Sequence, residues 1–266
     1  PGYFLDENTN LQANTLSAKI TSMTISSNAA GSVIMGLHFV GSLSISARNV
    51  TIARNRIEIT TIYTDGISVN NSIGNVTIMQ NYITSSHASA YRAIYVGSSD
   101  SNIVIRNNFI ENLSTGYGPI EASSILVASD VSNNVLYGVG SLTLHTASFN
   151  NNIIRSGSLT LTGVTPYNNI CNSTQLAAYS SAPYSNQNSV SMTSVFVTSG
   201  TSDTKWQLSM SGGPTSGTGF GGVDCGMYDN SAGTAYIPSG IPPIPSIYQF
   251  DASDLNNVTV KVKSHN

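Results

Sequence analysis

Charged side chains are scarce: they make up 9% of the 266 residues, against roughly 25% in an average soluble protein. Ten Lys plus Arg against thirteen Asp plus Glu leave a net charge of −3. No basic stripe is available to follow a phosphate backbone, so nucleic acid is not expected as a partner. A membrane-spanning helix needs about 18 consecutive apolar residues, and no such run occurs. Hydrophobic content is nevertheless 40%, too high for a disordered chain. Cysteine is limited to Cys171 and Cys225, too few for a disulfide scaffold and without zinc-site spacing. Both are expected to be buried free thiols acting as small hydrophobes. The polar surface must therefore be built from Ser, Thr, Asn and Gly. The chain opens at Pro1 inside what reads as the middle of a fold, so a missing or removed upstream segment is expected.

What the sequence does contain is repetition. The pattern Asn, apolar, any, apolar, two residues, Asn, any, apolar runs from Asn49 to Ile57, from Asn75 to Ile83 and from Asn102 to Ile110. Reduced copies follow at Asn134-Val135-Leu136, Asn152-Ile153-Ile154 and Asn169-Ile170-Cys171. The second Asn residues recur at intervals of 26, 27, 26, 18 and 17. A second family of short apolar triplets precedes them: Ile67-Ser68-Val69, Ile94-Tyr95-Val96, Ile125-Leu126-Val127, Leu142-Thr143-Leu144 and Leu159-Thr160-Leu161. Each has the period of two of a half-buried strand. Short strands returning once per coil, without helices between them, specify a solenoid: an all-β, right-handed, single-stranded parallel β-helix rising about 4.8 Å per coil.

Stacking then assigns roles. Ile57, Ile83, Ile110, Leu136, Ile154 and Cys171 form one aliphatic column. Asn55, Asn81, Asn108, Asn134, Asn152 and Asn169 form an amide ladder at the turn, where Asn tolerates left-handed backbone. Coils are expected over 1–171, with 172–266 a loop-rich closing segment of the same domain, ending in the alternating strand Val258–Val262.

The closing segment carries a resemblance. Asp203-Thr204-Lys205-Trp206-Gln207-Leu208, Gly213-Pro214, Gly217, Gly219 and Asp224-Cys225-Gly226-Met227 resemble the final segment of secreted bacterial right-handed parallel β-helix proteins. Ser239-Gly240-Ile241-Pro242-Pro243-Ile244-Pro245 is similar to surface proteins of Bacteroidetes-type bacteria. The chain departs from that pattern at Pro214-Thr215-Ser216 and at Cys225. The resemblance implies architecture and a secreted, extracellular or cell-surface location, and it assigns no activity.

Candidate chemistry is thin. Glycoside hydrolysis needs two carboxyl groups about 5 to 9.5 Å apart. On the triplet alignment Asp65 meets Arg92 in the next coil, then Ser123, Gly140 and Gly157, which reads as a rim ion pair. Glu58, Glu111 and Glu121 recur at no matching positions in neighbouring coils, and His38, His87, His145 and His265 show no ligand spacing. No catalytic residue, metal ligand or cofactor is therefore expected. The outward column Ser68, Tyr95, Leu126, Thr143, Thr160 is too mixed for regular Thr ranks. Aromatic platforms suit sugar faces, which makes Tyr82, Tyr91, Arg92, Tyr95 and Phe109 the candidate glycan-binding residues; packing under loops is the competing role. The leading expectation is a non-catalytic extracellular structural unit, joined end to end or to a neighbouring domain through open strand edges. A glycan-binding adhesin and a polysaccharide enzyme are the alternatives.

Overall fold

A computed structural model describes residues 3–5, 11–13, 19–85, 87–123, 128–145, 147–200, 203–209, 217–229, 235–237, 246–251 and 259–263. The period-two segments stack in parallel as three ladders, giving a right-handed parallel β-helix. The first ladder is a seven-stranded sheet: Val33–Met35, Val50–Ala53, Gly74–Met79, Ser101–Arg106, Ser129–Ser132, Ala147–Asn150 and Pro166–Tyr167. An eleven-stranded sheet carries the other two. Arg56–Ile59, Tyr82–Ser85, Phe109–Asn112 and Ile170–Cys171 belong to the second ladder. Ile20–Ile25, Ile67–Val69, Ile94–Val96 and Ile120–Ala122 belong to the third. His38–Ile45, Val135–His145 and Ile153–Thr162 run through both. Two antiparallel pairs stand apart from these sheets, Tyr3–Leu5 with Leu11–Ala13 and Ser246–Asp251 with Thr259–Lys263.

Register confirms the aliphatic column. Ile57, Ile83, Ile110, Leu136, Ile154 and Cys171 are successive partners, each 2% exposed or less. One triplet is corrected. Ile94-Tyr95-Val96 pairs with Ile120-Glu121-Ala122, and Glu121 pairs with Thr143; Ile125-Leu126-Val127 lies outside the described residues. The outward column is therefore Ser68, Tyr95, Glu121, Thr143, Thr160.

The amide ladder is buried and continuous. Asn55 Oδ1 accepts the Leu37 N–H at 3.0 Å, and each later Asn side-chain oxygen accepts from the Asn one coil earlier. Asn55 donates to Asn81 at 2.9 and 3.2 Å, Asn81 to Asn108 at 2.9 and 3.0 Å, and Asn108 to Asn134 at 3.1 and 3.0 Å. The ladder passes through Asn152 and Asn169 to a seventh rung, Asn186, which accepts from Asn169 at 2.9 Å. The solenoid thus extends past Cys171 to Gln187, which bridges Ile170. The left-handed conformation expected of these Asn residues belongs to their predecessors. Arg54, Gln80, Asn107, Asn133, Asn151 and Asn168 have φ between 52° and 57°. Their side chains therefore point outward, while the following Asn turns in.

Those outward side chains hold the closing segment. Gln80 donates to Ala235 O at 2.6 Å, Asn107 to Met227 O and Asp229 O at 3.0 Å, Asn133 to Asp229 Oδ2 at 3.0 Å and Asn168 to Thr218 O at 3.1 Å. So anchored, the segment lies over the outward column Tyr82, Phe109, Val135, Ile153, Ile170 and encloses a second core with Val195, Phe196, Trp206, Cys225, Met227 and Tyr236. Both cysteines are buried free thiols, and burial pushes the Cys225 thiol up to about 12. At the C-terminal end of the solenoid, Leu176 is 1% exposed and joins the main core that contains Cys171.

Asp100 is a buried exception to the charge-poor interior. Its Oδ1 accepts the Ile73 N–H at 2.7 Å, while its buried Oδ2 has no hydrogen-bond partner. Burial raises its pKa to about 6 from 3.8, against the pull of backbone N–H groups from Ile73, Gly97 and Ser72. Because the folded value exceeds the unfolded one, this stabilising term is complete below pH 4 and is lost as pH rises through 6. Asp100→Asn is therefore expected to gain on the wild type by about 2 kcal/mol between pH 4 and pH 7. Urea midpoints measured across that range check this; a constant difference would remove Asp100 as the cause.

Candidate functional site

In three consecutive coils the second and third ladders are separated by excursions, described over 60–66, 87–93 and 113–119, and these loops stack on one another. Tyr63, Tyr91 and Tyr117 lie at equivalent places, with ring centroids 5.7 Å apart for the first pair and 5.0 Å for the second. Buried Asn112 ties two loops together, its amide donating to Tyr91 O, Tyr117 O and Gly118 O at 2.6, 3.0 and 2.9 Å. Gly140 lets the third loop lie flat, since a Cβ there would stand 2.3 Å from Tyr117 O. The result is a ridge of tyrosines on stacked loops, with Tyr63 65% exposed at one end.

Arg92 organises the ridge. Its backbone N–H donates to Asp65 Oδ1 at 3.0 Å, and its guanidinium reaches Asp65 at 3.5 Å and Glu121 at 3.0 Å. The same group lies over the rings of Tyr95, Tyr117 and Tyr91 at 4.4, 4.8 and 5.4 Å. The Asp65–Arg92 pair was expected, whereas its third member was not. Glu121 was assigned no partner because Ile125 was taken as the triplet following Ile94, a step of 31 residues; Ile120 lies 26 residues on, one coil length. Burial opposes the charge on Arg92, but the hydrogen bond to Glu121 and the charges of Asp65 and Glu121 outweigh it and raise its pKa. Burial raises the Asp65 carboxyl despite Arg92. One cation thus lies between two acids.

Two further acids share one register two coils apart, with no acid between them in the neighbouring coil. Thr84 pairs with Glu58 on one side and Glu111 on the other, which separates the two backbones by about 9.6 Å. Their environments diverge. The hydrogen bond from His38, opposed by burial and helped by Arg56, lowers Glu58 to about 2, with Lys19 at 3.8 Å. Burial raises Glu111, against Lys205 and Arg155. Opposed pKa shifts are a feature of acid–base pairs, but Glu58 is held by Lys19, Arg56 and the imidazole of His38. This is an ion-pair cluster on the solenoid wall.

Of the five candidate glycan residues, the fold brings together Tyr91, Arg92 and Tyr95 and removes the other two. Tyr82 is 3% exposed and Phe109 fully buried; they stack at 4.6 Å, Trp206 stacks on Phe109 at 4.7 Å, and Trp206 Nε1 donates to the Tyr82 hydroxyl at 3.2 Å. They are the floor of the second core. Residues missed by the sequence reading are Tyr63, Tyr117 and Glu121, all available from the coil interval. Among the described residues no cluster of His, Cys, Asp and Glu could hold a metal ion, and no helix is long and apolar enough to cross a membrane. No protein-family model, curated protein or solved structure matches this chain.

Proposed function

We propose that this protein is a non-catalytic extracellular glycan-binding module, an adhesive β-helix that lays a neutral polysaccharide along its tyrosine ridge. The observation that carries this reading is the stack Tyr63–Tyr91–Tyr117 around Arg92. Aromatic rings repeating once per coil offer apolar faces to successive sugar rings, and their rigid support keeps the entropic cost of binding low. Arg92 is already neutralised by Asp65 and Glu121, which favours an uncharged polymer over an acidic one. A surface poor in charge and rich in Ser, Thr and Asn fits the secreted location that the resemblance implies.

Affinity electrophoresis of the full chain through gels containing cellulose derivatives, xylan, mannan, laminarin or polygalacturonate tests the reading. Retardation by at least one neutral polymer is expected, with binding weakened at least about tenfold by Tyr91→Ala or Arg92→Ala. Retardation by polygalacturonate alone, or by none of the polymers, would sink it. Reducing ends released from a polymer by the wild type and not by Glu111→Gln would establish a hydrolase instead.

A further inference from the structure

We propose that a second site, on the opposite side of the amide ladder from the ridge, binds one neutral sugar ring. The site is a cavity of about 310 Å³ lined by Asp130, Ser132, Asn133, Asn150, Asn151, Tyr167 and Phe220, at the small end of ligand pockets. Its floor is built by register. Ser132, Asn150 and Tyr167 are successive partners in the first ladder, and Asp130, two residues before Ser132, shares their face. Its wall is the loop 217–222.

That loop is constructed to hold an aromatic ring outward. Gly217 N donates to Asp224 Oδ1 at 2.8 Å, Gly219 N to Val223 O at 2.7 Å, Phe220 N to Asn151 Oδ1 at 2.9 Å and Gly222 N to Gly219 O at 3.0 Å. Gly221 and Gly222 both take φ of +78°, where a side chain would be strained. Yet Phe220, at the tip of this fixed turn, is 74% exposed. A large apolar side chain held rigidly in water beside a cavity gains nothing from folding; it gains when a ligand covers it.

The polar groups define what that ligand is. Asn150 Oδ1 is buried with no hydrogen-bond partner, while its Nδ2 donates to Ser148 Oγ at 2.5 Å. A buried acceptor without a donor is costly, and a ligand hydroxyl would supply the donor. Asp130 accepts from Ser132 Oγ at 2.6 Å and adds a second, anionic acceptor. Two acceptors between two aromatic rings match a ring that carries hydroxyls at its edge and C–H groups on its face, which describes a pyranose. The negative charge of Asp130 disfavours uronates and sulfated sugars. The site is independent of the ridge and does not rest on it.

Ligand-observed and chemical-shift NMR titrations of the full chain with glucose, galactose, mannose, N-acetylglucosamine, glucuronate and choline provide the test. At least one neutral sugar is expected to bind saturably, with Kd raised about tenfold or more in Phe220→Ala and in Asp130→Asn and changed less than about twofold in Tyr91→Ala. Phe220 is exposed, so its replacement leaves the fold intact. The proposal is overturned if no neutral sugar binds, if binding survives both pocket substitutions, or if glucuronate or choline binds as well as the best neutral sugar. Polymer retardation lost in Tyr91→Ala with no neutral monosaccharide bound would keep the ridge while the pocket fails, and saturable monosaccharide binding lost in Phe220→Ala with no polymer retarded would keep the pocket.

Discussion

Replacing Asn108 by alanine is expected to destabilise the protein by about 3–5 kcal/mol, from roughly 1–3 kcal/mol per buried polar group left without its partner. The Asn108 side-chain oxygen accepts the Asn81 N–H at 2.9 Å and the Asn81 amide at 3.0 Å. Its own amide donates to Ile78 O, Arg106 O and Asn134 Oδ1 at 2.9, 2.9 and 3.0 Å. All of this lies in a site with no solvent access, so water cannot replace the lost bonds, and the coil above loses the support of the coil below. Asn102 supplies the internal comparison. It belongs to the same coil and also bonds its neighbour, donating to Asn75 at 2.9 Å, but it is exposed. Asn102→Ala should cost about 1 kcal/mol, mostly because Ala tolerates the left-handed φ of 54° less well than Asn does. Urea titrations of the two variants followed by circular dichroism separate the cases; equal losses would mean that burial does not set the value of the ladder.

The contrast between these two asparagines also shows what can be read from the sequence. The position of each Asn in the nine-residue motif recurs once per coil, so the existence of two ladders was visible. Which Asn of the doublets Asn107-Asn108, Asn133-Asn134, Asn151-Asn152 and Asn168-Asn169 takes left-handed backbone was not. Both members of each doublet are Asn and tolerate the turn equally, and the choice falls out of three-dimensional closure: the first of each pair has φ near 55° and faces the closing segment, and the second faces the core. Glu121 was misplaced for a different reason. Ile125-Leu126-Val127 is the more hydrophobic triplet, and apolar content was weighed above spacing. The ladder chose Ile120-Glu121-Ala122 because a coil of constant length keeps every neighbouring register intact. The ridge followed from this error: with the triplet misplaced, Tyr117 and Glu121 could not be set beside Tyr91 and Arg92.

Tyr82 and Phe109 were misread because the chain that covers them arrives from about a hundred residues downstream, and nothing local records it. Phe109→Ala is accordingly expected to cost about 3–5 kcal/mol, the range for removing a fully buried Phe ring, and to leave glycan binding at the ridge unchanged. The loss should be uneven along the molecule. Phe109 supports the closing segment through Trp206 at 4.7 Å, while the aliphatic column beneath it, from Ile57 to Cys171, makes no use of its ring. In a solenoid each coil depends on its neighbours rather than on the whole, so the segment can detach while the coils persist. Trp206 is the one tryptophan in the chain and sits in the affected contact, 7% exposed, so its emission reports detachment directly. In the wild type, fluorescence and far-ultraviolet circular dichroism should fall together with urea. In Phe109→Ala, the emission should shift to the red at lower urea than the loss of β-signal. Coincident transitions at a lower midpoint would mean that segment and solenoid fold as one cooperative unit, and an unshifted midpoint would remove Phe109 from the second core.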